Sequence, residues 1–589
     1  MKYRPEVDGL RALAILSVLI FHLGYKGLPG GFAGVDVFFV ISGYLITKVI
    51  WDNVAAGTFS YQAFWERRVR RLFPALFVVY VFCLVAGPFL LLPDDLGETG
   101  LAVVIQAFLS TNVLFWRTVS AGYFGDPPEI RPLLHTWSLS VEEQFYLFFP
   151  MLLAMGRRKG VALVAGFSFA ASLMLSTKSP VFAFFMLPCR AWELLLGSMT
   201  AALGRPKSSQ FTDLLGLGMI LYFMLTANQY DPWPGYRALL PCVGTATLLW
   251  GMTEGSLVGR FFSTRPVIFV GLMSYSLYLW HWPLIAFAQY TQFELPSGAQ
   301  ALIVALTFLL SYLSLRLVET PFRTRKLLAS RSSLFQAFFA ANLFLMALGL
   351  ATYRYSLDRW TVESLHLRCP KKNATLALEI KADKVPPLIG DVRTPPSFVL
   401  WGDSHAMSIA PALDAAGRRL HLSGYQATLS GTPPLLPSRQ KVLETILKEQ
   451  KIDYVFMAGY WETYTKQDEK DRLVKTIAFL RAKGVTPVLV LDIPNYSFDV
   501  PRRLSTDSLY SRPDSKGVSL QENRGFQRWL VELAKGCLVM EPASYLAGPD
   551  GVCRLKIGDS SLYRDSHHLS PFGGNYVTPM FLDFFESNK

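Results

Sequence analysis

Long apolar stretches alternate with short charged loops through the first three-fifths of the 589-residue chain, and then the rhythm changes. Runs long enough to span a bilayer as helices occur near 10–28, 35–51, 73–92, 137–155, 161–177, 182–203, 213–228, 236–252, 266–290, 298–318 and 334–352. A further run near 100–116 is ambiguous by this criterion. Tyr353 to Pro396 mixes charges with Pro386-Pro387 and Pro395-Pro396, and reads as a linker or an extension of the next domain. Beyond it the apolar runs shorten to strand length, at Phe398 to Trp401, Tyr454 to Ala458, Val485 to Ile493 and Cys537 to Met540, with helical patterns between them. That alternation predicts a parallel sheet flanked by helices.

Composition agrees: 51% of residues are hydrophobic and only 17% charged, outside the norm for a soluble protein. The net charge of +13 does not make a nucleic-acid surface, because Lys and Arg cluster in the short loops, where they signal topology. The clusters are Arg67-Arg68-Val69-Arg70-Arg71, Arg157-Arg158-Lys159, Arg205-Pro206-Lys207, Arg260 to Arg265 and Arg323 to Arg331. All five face the cytoplasm only if the chain between Arg71 and Arg157 crosses an even number of times. Segments 73–92 and 137–155 supply two crossings, so 100–116 is expected to re-enter or lie at the interface, leaving eleven spans. The first run has no small-residue cleavage site after it and reads as a retained helix rather than a signal peptide. The expected plan is a polytopic α-helical membrane domain at 1–330, a linking span at 331–352, a linker at 353–396 and an α/β/α domain at 397–589. The N-terminus is then cytoplasmic, the C-terminal domain periplasmic or its equivalent, and the bilayer itself a partner.

Of the six cysteines, Cys83, Cys189 and Cys242 lie in apolar runs and Cys369, Cys537 and Cys553 in the later portion. In an oxidising compartment Cys537 with Cys553 is the short-loop disulfide candidate, and Cys369 an alternative partner for either.

Two short motifs carry hydrolytic chemistry. Trp401-Gly402-Asp403-Ser404-His405 follows an apolar strand, and Asp565-Ser566-His567-His568-Leu569-Ser570 lies near the C-terminus. A serine hydroxyl is a poor nucleophile until a histidine takes its proton, and a carboxylate must hold that histidine's tautomer. Ser404 at the carboxyl edge of a sheet, with Asp565 and His568 three apart in one loop, supplies the set; His567 is the alternative base. The pair resembles the SGNH hydrolase superfamily, in which a Gly-Asp-Ser block carries the nucleophile and an Asp-x-x-His block the rest of the triad. The resemblance implies a flavodoxin-like α/β/α fold and an oxyanion site built from a glycine and an asparagine. Gly431, in Leu429-Ser430-Gly431-Thr432, is the matching glycine, but Ala458-Gly459-Tyr460-Trp461-Glu462 has no asparagine where one is expected. The backbone N–H groups of Ser404 and Gly431 are then left to stabilise the oxyanion. Trp461 is open to two readings, stacking on a sugar or packing. No metal is expected.

In the apolar half, ionisable groups within spans are costly to bury and are functional candidates by default. Arg11 and His22 are eleven residues apart, about 16 Å along a helix, and an imidazole inside the membrane suits proton transfer or acyl relay. Arg68 and Arg71 share one helix face and suit the phosphates of an anionic cofactor. Of Glu142 and Glu143, one is expected to line a cavity and the other to face the headgroups, while His281 between Trp280 and Trp282 reads as an aromatic-belt residue.

Six blocks of this half resemble the acyltransferase-3 family of integral membrane proteins. They are Asp8-Gly9-Leu10-Arg11-Ala12 with His22, Gly34-Val35-Asp36-Val37-Phe38-Phe39-Val40-Ile41-Ser42-Gly43, Arg68-x-x-Arg71, Pro132-Leu133-Leu134-His135-Thr136-Trp137-Ser138-Leu139, Tyr275-Ser276-Leu277-Tyr278-Leu279-Trp280-His281 and Glu319-Thr320-Pro321-Phe322-Arg323. Together with the SGNH-like portion, almost the whole chain resembles the fused bacterial O-acetyltransferases that acetylate envelope glycans such as lipopolysaccharide O-antigen or peptidoglycan. That resemblance implies a bacterial inner-membrane enzyme, acetyl-CoA as donor held near Arg68 and Arg71, and His22 as the membrane catalyst assisted by Arg11, with Asp36, Glu142 and Glu143 in support. It further implies a final acetyl-Ser404 ester passed to a glycan hydroxyl. Two other classes compete with it: a glycan acetyl-esterase that is merely anchored, and a transporter of glycan or acyl carrier with the last domain as a binding module.

Overall fold

A computed structural model describes residues 3–120, 131–203, 209–227, 231–292, 297–361, 386–429, 434–464, 466–509, 513 and 515–588. The chain divides into two compact units, Met1–Thr361 and Val362–Lys589.

The first unit is helical. Among the described residues seven helices are long and apolar enough to cross a membrane: Gly31–Ala55, Tyr61–Leu90, Lys159–Lys178, Pro180–Ala202, Arg265–Thr291, Gly298–Arg323 and Arg331–Leu357. The eleven expected segments do not become eleven separate spans. The runs at 137–155 and 161–177 join in one 43-residue helix, Thr136–Lys178. The Arg-Arg-Lys cluster between them does not interrupt it, because long basic side chains are good helix formers. The run at 10–28 stops at His22 as Pro5–His22, followed by Gly24 at φ 76°. The runs at 213–228 and 236–252 give shorter helices, Gln210–Thr226 and Leu239–Gly251. The ambiguous stretch splits into Pro93–Gln106 and Thr111–Ser120, too short to cross singly, with Leu109 at φ 54° in the break. The last helix runs on from the expected 352 to Thr361, since no glycine or proline falls between those positions.

Small residues let some of these helices meet backbone to backbone, as membrane packing favours. A Cβ on Gly43 would lie 1.8 Å from the Leu194 carbonyl oxygen, and one on Gly197 1.9 Å from that of Val40. At the same contact Asp36, Arg190 and Glu193 form a fully buried charge cluster, with Arg190 Nη2 3.0 Å from Asp36 Oδ1 and its Nε 3.4 Å from Glu193 Oε1.

The second unit is a six-stranded sheet with helices on both faces. Its strands are β1 (Leu388–Gly390), β2 (Pro396–Gly402), β3 (Ser423–Thr428), β4 (Tyr454–Ala458), β5 (Thr486–Val490) and β6 (Leu538–Met540), in the order β1-β3-β2-β4-β5-β6. All neighbours are parallel except β1 and β3, so the parallel sheet expected from the sequence gains an antiparallel edge. Alternate residues feed opposite faces. Phe398, Leu400, Phe456, Val488 and Val490 join one core, and Val399, Trp401, Val455, Met457 and Leu489 the other. Burial on both faces explains why these strands read as unbroken apolar runs. The carboxyl ends of β2, β4 and β5 leave Asp403, Gly459 and Leu491 as the first residues beyond one edge of the sheet.

Candidate functional site

In the second unit the two hydrolytic motifs meet at that edge. β2 ends in Gly402, where a Cβ would sit 1.8 Å from the Ala458 carbonyl oxygen, so only glycine allows β4 this close to the turn. Asp403 caps the helix Ser404–Leu420: its Oδ1 accepts the His405 N–H at 2.8 Å and its Oδ2 the Tyr460 N–H at 2.9 Å. This ties the nucleophile turn to the end of β4. The Ser404 N–H belongs to the first helical turn, whose donors have no intrahelical acceptor, and this suits it to an oxyanion.

Ser404 Oγ lies 2.9 Å from His568 Nε2, and His568 Nδ1 lies 2.9 Å from Asp565 Oδ2. Asp565 Oδ1 also accepts the N–H groups of His567 at 2.9 Å and His568 at 2.8 Å, which locks the loop. A carboxylate only accepts, so the His568 proton sits on Nδ1 and the Nε2 lone pair faces the serine. Burial pushes the Asp565 carboxyl up, but the His568 hydrogen bond and charge and the His567 N–H outweigh it and hold the group below the usual carboxylate range. His568 rather than His567 is therefore in line with Ser404. His567 instead bonds Ser566 Oγ at 2.7 Å, and burial beside His568 pulls its imidazole down to about 4.

Tyr460 and His405, to which the motifs gave no role, border this site. The Tyr460 ring stacks on His405, with centroids 4.6 Å apart, and on His567, at 4.9 Å, and both histidine rings also meet the triad base His568. Burial, with the charges of His568 and His567, holds the His405 imidazole well below its ordinary value. Trp461 is fully buried and donates its Nε1–H to the Val490 carbonyl at 2.9 Å, so it packs and presents no face to a sugar. Gly431 and Cys369 lie outside the described residues, while Cys537 and Cys553 are free thiols and not the expected disulfide.

Two of the cavities in the first unit border the candidate residues. One, with about 720 Å³ of empty space, is lined by Arg11, Arg68, Arg71, Ser42, Glu142 and Tyr146 among others. Glu142 accepts from Ser42 Oγ at 2.8 Å and Tyr146 Oη at 3.2 Å, and the Arg68 guanidinium lies over the Tyr146 ring. Glu143 is held by Gln106 Nε2 at 3.0 Å rather than turned toward headgroups. The other cavity, of about 570 Å³, is lined by His22, His135, Asp36, Arg190, Trp233 and Trp282 among others; Val35 and Tyr278 line both. The structure therefore parts Arg11 from His22: Arg11 pairs with Asp8 at 3.2 Å in the first cavity. The partner of His22 is His281, 3.1 Å from ring nitrogen to ring nitrogen. His281 is completely buried, which corrects its reading as a belt residue.

Residues 4–316 match the acyltransferase domain of the acyltransferase-3 family. The chain belongs to that family. Residues 368–583 match the SGNH domain found fused to such acyltransferase-3 domains. The O-acetyltransferase OatA of Staphylococcus aureus strain NCTC 8325 / PS 47 is 33% identical over 356 residues, 55% of this chain and 58% of OatA, and OatA of strain COL matches equally. The chain thus spans about 58% of the length of the curated relatives it matches. A solved structure, the lipopolysaccharide acetyltransferase periplasmic domain of Salmonella ser. Paratyphi A, covers 33% of this chain and 84% of its own at 13% identity, with a TM-score of 0.29.

Among the described residues of this acyltransferase-3 protein, two sets of side chains have the donors to hold a metal ion. Ligand atoms of His405, His567 and His568 lie within 4.8 Å of one another, as do those of Asp36, Glu193 and Cys242. The first set binds a metal only if His568 gives up Ser404 or Asp565. Arg190 is the functional candidate the sequence reading passed over, although Arg190 and Glu193 three apart in an apolar helix were signal enough.

Proposed function

We propose that the protein is a membrane O-acetyltransferase that takes an acetyl group from cytoplasmic acetyl-CoA and delivers it to hydroxyls of a cell-envelope glycan, lipopolysaccharide O-antigen or a related polysaccharide, on the periplasmic side. The observation that carries this reading is the line Asp565–His568–Ser404, at 2.9 Å per step, in a chain whose other unit is an acyltransferase-3 domain. Arg11, Arg68 and Arg71 give the first cavity a cationic lining suited to the phosphates of the donor. His22 acts as base in the second cavity: it takes the proton of the hydroxyl that attacks the thioester and returns it to the departing sulfur. At the other unit, His568 takes the Ser404 proton as the oxygen bonds to the acetyl carbon, and gives it up to the leaving oxygen. A glycan hydroxyl then repeats the attack on acetyl-Ser404 and frees the serine.

The test is the O-acetate content of surface polysaccharide, by NMR, in cells carrying the wild-type chain, Ser404→Ala or His22→Ala. Acetate present with the wild-type chain and lost in both variants supports the reading. Normal acetylation in Ser404→Ala removes the last step, and in His22→Ala the first. Acetate that falls when the wild-type chain is expressed identifies an esterase instead.

A further inference from the structure

We infer that His281 is a positioning residue that fixes the tautomer of His22, taking in the membrane unit the part that Asp565 takes for His568. The inference rests on the reading of His22 as a base. His281 Nδ1 lies 2.8 Å from the Tyr278 carbonyl oxygen and 3.1 Å from that of Leu277. Carbonyl oxygens only accept, so the His281 proton is on Nδ1 and its Nε2 carries a bare lone pair. That Nε2 is the atom 3.1 Å from His22 Nδ1. The only hydrogen bond this leaves is His22 Nδ1–H donating to His281 Nε2. The free lone pair of His22 is therefore on Nε2, and its imidazole borders the second cavity.

Packing holds this arrangement. The two rings lie 11° from parallel with centroids 5.3 Å apart, and Trp282 meets His22 edge-on at 4.5 Å. His281 is 0% exposed, and its partners are carbonyls of its own helix Arg265–Gln292, so its ring cannot turn over without stranding a donor. An uncharged partner also suits the place. A carboxylate buried between apolar helices is costly, whereas a neutral imidazole orients its neighbour without that penalty. During the reaction His22 Nε2 accepts the proton of the attacking hydroxyl as the oxygen bonds to the acetyl carbon, and Nδ1–H goes on donating to His281. The proton passes from Nε2 to the thiolate of coenzyme A as the carbon–sulfur bond breaks, so charge and atoms balance and the imidazole pair ends with the protons it began with.

The experiment follows label from [14C]acetyl-CoA into Ser404 of the full-length protein in proteoliposomes, for wild type, His22→Ala, His281→Leu and His281→Gln. His281→Leu leaves His22 free to exchange tautomers, and the expected loss in kcat is about 100-fold, the size of a general-base contribution. KM for acetyl-CoA stays put, because the arginines line a different cavity. His281→Gln recovers activity to within about tenfold of wild type, since a glutamine oxygen also accepts from Nδ1. A mere packing role would instead make the two variants equally slow or raise KM alongside, and either result overturns the inference. His281→Leu at the wild-type rate while His22→Ala is dead overturns it alone. Wild-type labelling that persists in His22→Ala, or wild type that takes no label, brings down the functional reading and the inference with it.

Discussion

Asp565→Asn is the sharpest test of the triad, because the structure dictates where the new amide must point. Asp565 Oδ1 accepts two backbone N–H groups, from His567 at 2.9 Å and His568 at 2.8 Å. Only the asparagine oxygen can replace it there, so the –NH2 falls at the Oδ2 position, 2.9 Å from His568 Nδ1. Two donors then face each other unless His568 moves its proton to Nε2. That shift places an N–H where Ser404 Oγ had met a lone pair at 2.9 Å, and the serine loses its base. Wrong-tautomer changes of this kind cost about 10⁴-fold in kcat in a serine triad, or about 5.5 kcal/mol at 1.36 kcal/mol per decade. The assay is p-nitrophenyl acetate turnover by the purified full-length protein. Because the asparagine keeps both loop hydrogen bonds, melting of the C-terminal unit is expected to move by no more than a few degrees, which separates chemistry from folding. A loss smaller than tenfold in a variant that melts normally would refute the role given to Asp565.

Three further outcomes are expected. Gly402→Ala drives a methyl into the Ala458 carbonyl, 1.8 Å from the ideal Cβ, so it should displace the nucleophile turn and abolish acetyl-Ser404 formation, read by mass spectrometry of the intact chain. Below pH 7 the C-terminal unit should lose stability through its buried imidazoles. His567 falls from 6.5 to about 4 on folding, so between those values the unfolded chain binds more protons and stability rises with pH, by up to about 1 kcal/mol per unit. Raised carboxyls at Asp403 and Asp492 slope the other way, so the comparison is with His567→Gln, whose melting temperature should depend less on pH from 4.5 to 6.5; an identical dependence would count against the account. Arg190→Leu leaves the Asp36 and Glu193 carboxyls buried without their cation and should cost about 3–5 kcal/mol, seen as a lower melting temperature in detergent.

Much of this was legible in the sequence, and the gaps have physical causes. Ser404, Asp565 and His568 were legible because triad chemistry needs those residue types at those spacings, and β2 and β4 because burial on both faces writes an unbroken apolar run. β3 was not: Ser423-Gly424-Tyr425-Gln426-Ala427-Thr428 sits within the sheet yet has no such run, its polar groups being satisfied locally, as when Gln426 Nε2 donates to Thr428 Oγ1 at 3.1 Å. His281 was misread because its tryptophan neighbours along the chain mimic an interfacial belt, whereas its decisive partner is 259 positions away. Arg11 and His22 share a helix, and spacing along it gave no hint that they border separate cavities. Loop charge, in turn, marks which side a segment favours but not where a helix ends, as Thr136–Lys178 demonstrates.

The buried trio of Asp36, Arg190 and Glu193 bears on how the protein is made. Translation delivers Asp36 long before Arg190, so the segment Gly34–Ala55 emerges with an acid that lipid penalises by about 2.5–3.5 kcal/mol until its cation arrives. Leu187–Ala202 brings that cation together with Glu193 and with the glycine notch that lets the two segments touch. Biogenesis therefore favours holding the early segment at the insertion machinery and releasing the two into lipid as a pair, so a nascent chain stalled before residue 190 should still be found beside the translocon.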